Sequence, residues 1–125
     1  MDSFEGRLAV VTGGGTGMGR ELVVQLAAEG CSVALCDLNP ETMAETAELA
    51  RAAAPSGPSF STHSCDVSDE EQVQSFAAAV LERHGTDHVN LVFSNAGIGG
   101  GGSFIAGPRE EWDRTFDICW GGVYN

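Results

Sequence analysis

Residues 10–21 read VVTGGGTGMGRE, with five glycines directly after a run of β-formers. Backbone this bare of side chains is suited to close approach by another group. Three spacings compete for it. The dinucleotide pattern G-x-G-x-x-G, begun at Gly13, meets Gly15 and then Met18 where its last glycine belongs. The triphosphate loop G-x-x-x-x-G-K-[ST] fits from Gly14 to Gly19, but Arg20-Glu21 replace its lysine and hydroxyl. That substitution removes a magnesium ligand and sets an acid beside the phosphates. The third pattern, T-G-x-x-x-G-x-G, is met by Thr12, Gly13, Gly17 and Gly19. In this register Gly13 permits a tight turn off a strand. Gly17 lets amides at a helix start approach a pyrophosphate, which the positive helix end favours. Gly19 lets that helix pack closely on the strand.

Outward from this loop, strands and helices alternate. LAVVT (8–12) and SVALC (32–36) are short continuous apolar runs, the mark of strands buried on both faces. The helical spacing of Leu22, Val23, Leu26 and Ala27 lies between them, with Gly30 as its stop. Asn39-Pro40 opens a second helix running to about Ala54, and PSGP (55–58) breaks it. SFSTHSC (59–65) alternates as a weaker third strand. Ser68 and Glu71 have capping-box spacing before a helix that Gly85 ends. VNLVFS (89–94) is a fourth strand. Pro108 opens a last helix with Trp112, Phe116, Cys119, Trp120 and Val123 on one stripe. The order predicts an α/β fold, a Rossmann-type doubly wound parallel sheet with four βα units present. A ligand crevice is expected beyond the carboxyl ends of strands one and four.

The loops at those ends carry further signals. Asp37 closes the second strand, eighteen residues after Gly19. A carboxylate there accepts hydrogen bonds from an adenosine ribose and repels a 2′-phosphate, so NAD is expected over NADP. Asp66-Val67 ends the third strand and Ser94-Asn95-Ala96-Gly97 the fourth. Ala96 and Gly97 are small enough for a ribose to approach, and Asn95 can tie backbone segments together. With these motifs in this order, the sequence resembles the short-chain dehydrogenase/reductase family over essentially its whole length. The SNAG stretch departs from the family's Asn-Asn-Ala-Gly by Ser94. The resemblance implies that Asp66 bonds the adenine amino group and that Val67 lines its ring. The expected cofactor-binding residues are Gly13, Gly15, Thr16, Gly17, Met18 and Gly19 in the loop, Asp37 and Leu38, Asp66 and Val67, and Asn95, Ala96 and Gly97.

The family transfers a hydride between nicotinamide and an alcohol or carbonyl, using Asn, Ser and a Tyr-x-x-x-Lys pair. This chain contains no lysine, and its one tyrosine, Tyr124, has a single residue after it. At the place of the family's Asn stands Cys119, whose thiol cannot copy an amide's paired donor and acceptor. Cys119 is therefore either part of a rewired relay or a packing residue. The chain is expected to supply the cofactor half of a longer NAD(H)-dependent oxidoreductase. The alternatives are a non-catalytic dinucleotide-binding module and a phosphate-transfer P-loop protein.

Composition narrows the partners. Eighteen acidic against six basic residues give a net charge of −12, which argues against a nucleic-acid backbone as ligand. No apolar run is long enough to span a membrane, and the start has no secretory pattern, so a cytoplasmic location is expected. The four cysteines lack C-x-x-C spacing and read as reduced thiols, three of them packed as small hydrophobes. His63 and Cys65 lack the further ligands zinc needs, so no metal is expected. His84 and His88 read as surface residues. The resemblance implies a small-molecule alcohol or carbonyl substrate and a homodimer or homotetramer, with the last helix in the interface.

Overall fold

The computed structural model describes residues 3–100 and 102–125. The strands are β1 (Leu8–Thr12), β2 (Ser32–Asp37), β3 (Phe60–Ser64) and β4 (Leu91–Phe93). The helices are α1 (Gly17–Ala28), α2 (Pro40–Ala53), α3 (Glu70–His84), α4 (Arg109–Cys119) and α5 (Gly121–Tyr124). All strand pairs are parallel, in the order β3-β2-β1-β4. The chain thus builds outward from β1 through β2 to β3, then returns to place β4 on the other side of β1. This is the doubly wound arrangement expected from the alternation of elements.

The pleat explains why the first two strands are apolar throughout. Successive side chains point to opposite faces. Ala9 and Val11 of β1, with Val33 and Leu35 of β2, pack against Val23, Leu26 and Ala27 of α1 and Met43 and Ala50 of α2. Leu8 and Val10, with Ala34 and Cys36, pack on the opposite face against Cys65, Val67, and Phe76 and Val80 of α3. Burying each large aliphatic side chain contributes about 1.5–3 kcal/mol, so two such faces make β1 and β2 the stable centre. Cys31, Cys36 and Cys65 are buried free thiols, as their apolar neighbours suggest. Burial, then the adjacent Cys65 thiol, pushes Cys36 up to about 12, so it packs as a neutral thiol.

Three local expectations need correction. The cap of α3 is Asp69, not Ser68. Asp69 Oδ1 accepts the Gln72 N–H at 3.2 Å, while the Ser68 hydroxyl donates to Asp66 Oδ1 at 2.6 Å. Two overlapping cap patterns stand side by side there, and Asp66 takes Ser68 out of the contest. The last helix is broken at Trp120 into α4 and α5, where Gly121-Gly122 weakens helical continuity. Phe116, Trp120 and Val123 of its aromatic stripe are exposed. His84 is half-buried rather than a surface group, because Ser59 Oγ meets its Nδ1 at 3.1 Å and Ser61 Oγ its Nε2 at 2.8 Å.

The α2 cap follows expectation. Asn39 Oδ1 accepts from Glu41 N at 2.9 Å and Thr42 N at 3.3 Å. Asn39→Ala should lower stability by about 1 kcal/mol in urea unfolding, and Asn39→Gly by only a few tenths.

A pH dependence follows from the two imidazoles flanking Ser61. Burial lowers the pKa of His63, with His84 and Arg83 adding to the effect; burial and then Arg83 lower that of His84. Above about pH 6.5 both are neutral folded or unfolded, and their full contribution is present. Below it the unfolded chain takes up protons first, so stability falls with pH until the folded pKa values are reached. Urea midpoints measured from pH 8 to 5 should decline through this window, and His63→Gln should flatten the decline.

Candidate functional site

Two strand ends are fastened together to form the site. The Thr12 hydroxyl accepts the N–H groups of Asn95 and Ala96, each at 3.0 Å. The Asn95 side-chain amide donates back to Thr12 O at 3.0 Å and Gly13 O at 3.2 Å. Asn95 thus ties the β1 and β4 ends, as its place in the sequence suggested.

The glycines allow this closeness. Gly13 has φ +67°, and a Cβ there would meet Ala96 Cα at 2.8 Å. A Cβ on Gly19 would overlap the Gly13 carbonyl oxygen. Helix α1 therefore starts hard against the β1 end. Its N-cap, Thr16, makes no side-chain cap bond, and its first turn holds no acid. Helices α2 and α3 are both capped by side chains. The α1 terminus thereby keeps its positive end and free amides for an anion.

A cavity of about 310 Å³ opens over this terminus. Its wall draws on all four strand ends: Gly13, Thr16, Met18 and Gly19 after β1, Asp37 and Leu38 after β2, Asp66 and Val67 after β3, and Asn95, Ala96 and Gly97 after β4. Gly15 and Gly17 do not line it. Gly17 turns the chain into α1 at φ +58°, and Gly15 lies behind the wall against Asp37 and Thr42. Cys119 also lies outside the lining, its thiol facing the Ile98 carbonyl at 3.6 Å.

Both oxygens of the Asp37 carboxylate are engaged by backbone. Oδ2 accepts Gly15 N–H at 2.9 Å and Oδ1 accepts Leu38 N–H at 2.8 Å. Each oxygen keeps a further lone pair. Asp66 uses Oδ1 for the hydroxyl and the N–H of Ser68, and these bonds hold its carboxyl below the usual range. Cys65, Ile98, Arg114 and Ile118 also line the cavity and were not among the expected cofactor-binding residues. Among the described residues, Arg114 is the one basic residue in that lining. Its exposed position on the second turn of an amphipathic helix carries no sequence signal for a site.

Arg20 faces away from the cavity and disposes of the P-loop reading. Its guanidinium bonds Thr46 Oγ1 at 3.0 Å, Thr42 O at 3.0 Å and Glu45 Oε2 at 2.9 Å, all on α2. A cation engaged in this way is not a phosphate ligand.

Comparisons with known proteins agree with this architecture. A family model for short chain dehydrogenases matches residues 7–125. Probable oxidoreductase EphD of Mycobacterium tuberculosis is 39% identical over 122 residues, 98% of this chain and 20% of that protein. Levodione reductase of Leifsonia aquatica is 37% identical over 126 residues, 97% of this chain and 45% of that one. A solved short chain dehydrogenase/reductase from Burkholderia phymatum, in complex with NAD, superposes with a TM-score of 0.88 at 36% identity, covering 99% of this chain and 42% of that one. The chain spans less than half the length of each of these relatives. Shared sequence over nearly every residue, the same parallel sheet and a glycine loop at its switch point lead to one conclusion: the chain belongs to the short chain dehydrogenase family.

Proposed function

We propose that this chain holds NAD(H) for an oxidoreductase that moves a hydride between nicotinamide and a small-molecule alcohol or carbonyl. One observation carries the reading: the glycine loop, Asp37, Asp66-Val67 and Asn95–Gly97 converge on a single cavity over the uncapped start of α1. The cavity exists because its glycines lack side chains, since a Cβ at Gly13 or Gly19 would collide with backbone. A dinucleotide fits such a cradle, and the Burkholderia phymatum relative was solved with NAD.

In this reading the α1 amides, with Thr16 and Met18 beside them, take the pyrophosphate. Gly17 keeps that approach open. Asp37 and Leu38 take the adenosine ribose, Asp66 and Val67 the adenine, and Asn95, Ala96 and Gly97 the ribose on the nicotinamide side. When bound, the nicotinamide supplies or accepts the hydride. The chain's own part is to orient it, by fixing both strand ends through Thr12 and Asn95. NAD is favoured over NADP because Asp37 is a fixed negative charge where a 2′-phosphate would sit. The oxidoreductase relatives favour this reading over a non-catalytic module. The whole protein is taken to be a homodimer or homotetramer in the cytoplasm. Among the described residues, no helix is long and apolar enough to cross a membrane.

Two measurements test this reading. NADH should bind at least about tenfold more tightly than NADPH in fluorescence titrations, and Asp37→Ala should close most of that gap. Equal affinities in the unmutated chain would contradict it. Gly19→Ala should lower stability by about 1–3 kcal/mol and abolish NADH binding, because the new methyl group displaces the Gly13 carbonyl.

A further inference from the structure

Behind the cavity wall, Gly15 is gripped at both of its peptide groups. Its N–H goes to Asp37 Oδ2, as described above. Its carbonyl meets the Thr46 hydroxyl at 3.2 Å. Thr46 is fully buried on α2, and its Oγ1 also accepts Arg20 Nε–H at 3.0 Å and lies 3.1 Å from Thr42 O. A hydroxyl has one proton to give. Thr42 O already receives an Arg20 Nη2–H, so the Thr46 proton is best aimed at Gly15 O. Around Gly15 there is no slack: a Cβ would stand 2.6 Å from Thr42 Oγ1 and 2.8 Å from Asp37 Oδ2.

We infer that Thr46, oriented by Arg20, is a positioning residue that sets the preference for a dinucleotide with a free 2′-hydroxyl over one with a 2′-phosphate, acting through Gly15 and Asp37. The inference rests on the dinucleotide reading above. Arg20 and Glu45 lock the guanidinium across α1 and α2. The guanidinium fixes the Thr46 hydroxyl, the hydroxyl fixes the Gly15 peptide, and the Gly15 N–H fixes one Asp37 oxygen. With Leu38 N–H on the other oxygen, the carboxylate cannot turn, and its remaining lone pairs stay available to ribose hydroxyls. The same locked charge opposes a phosphate. Arg20 thereby reinforces selection against the phosphate, although it is the basic residue nearest to the loop in sequence.

The test uses the full chain, with NADH and NADPH as probes and the ratio of their dissociation constants as the first readout. Amide exchange at Gly15 is the second. Thr46→Val keeps the shape and removes the hydroxyl. It should lower the NADPH/NADH ratio about fivefold or more, mainly by weakening NADH, and speed Gly15 exchange about tenfold while β2 amides stay protected. Thr46→Ser should restore both, and Arg20→Ala should reproduce the Thr46→Val effect. Adding Thr46→Val to Asp37→Ala should lower the ratio no further, because the relay ends at that carboxylate. An unchanged ratio in Thr46→Val, with Asp37→Ala still lowering it, would overturn the relay and leave the dinucleotide reading standing. Equal loss of both nucleotides in Thr46→Val and Thr46→Ser would likewise overturn it, as a merely structural role. Equal affinities in the unmutated chain would overturn the relay together with the preference for NAD, and binding of neither nucleotide would overturn the dinucleotide reading on which it rests.

Discussion

Everything at the ligand end of this sheet depends on one exchange of hydrogen bonds, between the Thr12 hydroxyl and the backbone after β4, and between the Asn95 amide and the backbone after β1. Neighbouring parallel strands diverge once their ladder ends, and loops that leave toward opposite faces have no reason to stay together. Thr12 and Asn95 supply that reason. Their contact lets Gly13 lie against Ala96, seats α1 against the turn, and leaves a cleft where the strand order reverses. The two glycines are required by the contact, since it leaves no volume for a methyl group at either place.

An acidic chain is a poor host for an anion, and the local arrangement answers this without lowering the overall charge. One cation, Arg20, is engaged between helices and stiffens the loop from behind. Another, Arg114, sits on the cavity wall, close enough to act on Asp66. At the centre lie backbone amides of a helix start that no side chain caps, a local positive end in an acidic chain. Fixed dipoles of this kind need no side-chain ordering when a ligand arrives, unlike a long basic side chain.

The sequence made the fold legible where one rule acted alone. Continuous apolar runs in β1 and β2 had no competing reading, and Asn39-Pro40 was an unopposed helix start. The glycine spacing and Asp37 pointed to the crevice because turn geometry and strand ends are local properties. It was less legible where two local rules overlapped, as at Ser68 and Asp69, and there a third residue, Asp66, decided. It was silent where a residue arrives from far along the chain. Arg114 and Ile118 reach the cavity through the path of a long connection, and no short pattern encodes that path. Thr46 is the plainest case. In sequence it is an ordinary polar residue inside a helix, and only the packing of α2 on α1 puts its hydroxyl on a loop thirty-one residues away.

The pairing of β1 with β4 also has a kinetic side. Ala9 lies beside Leu91 and Val10 beside Val92, so that edge of the sheet closes only after more than eighty intervening residues have been brought round. The β1-β2 and β2-β3 pairings span far shorter stretches and bury the most apolar surface. Loop closure on that scale is among the slowest steps available to a parallel sheet. Loop-closure entropy therefore weighs more on the β1-β4 seam than on the other two strand pairings. A molecule that touches both the β1 loop and the β4 loop acts as a clasp across this seam, joining two segments that the chain brings together from far apart.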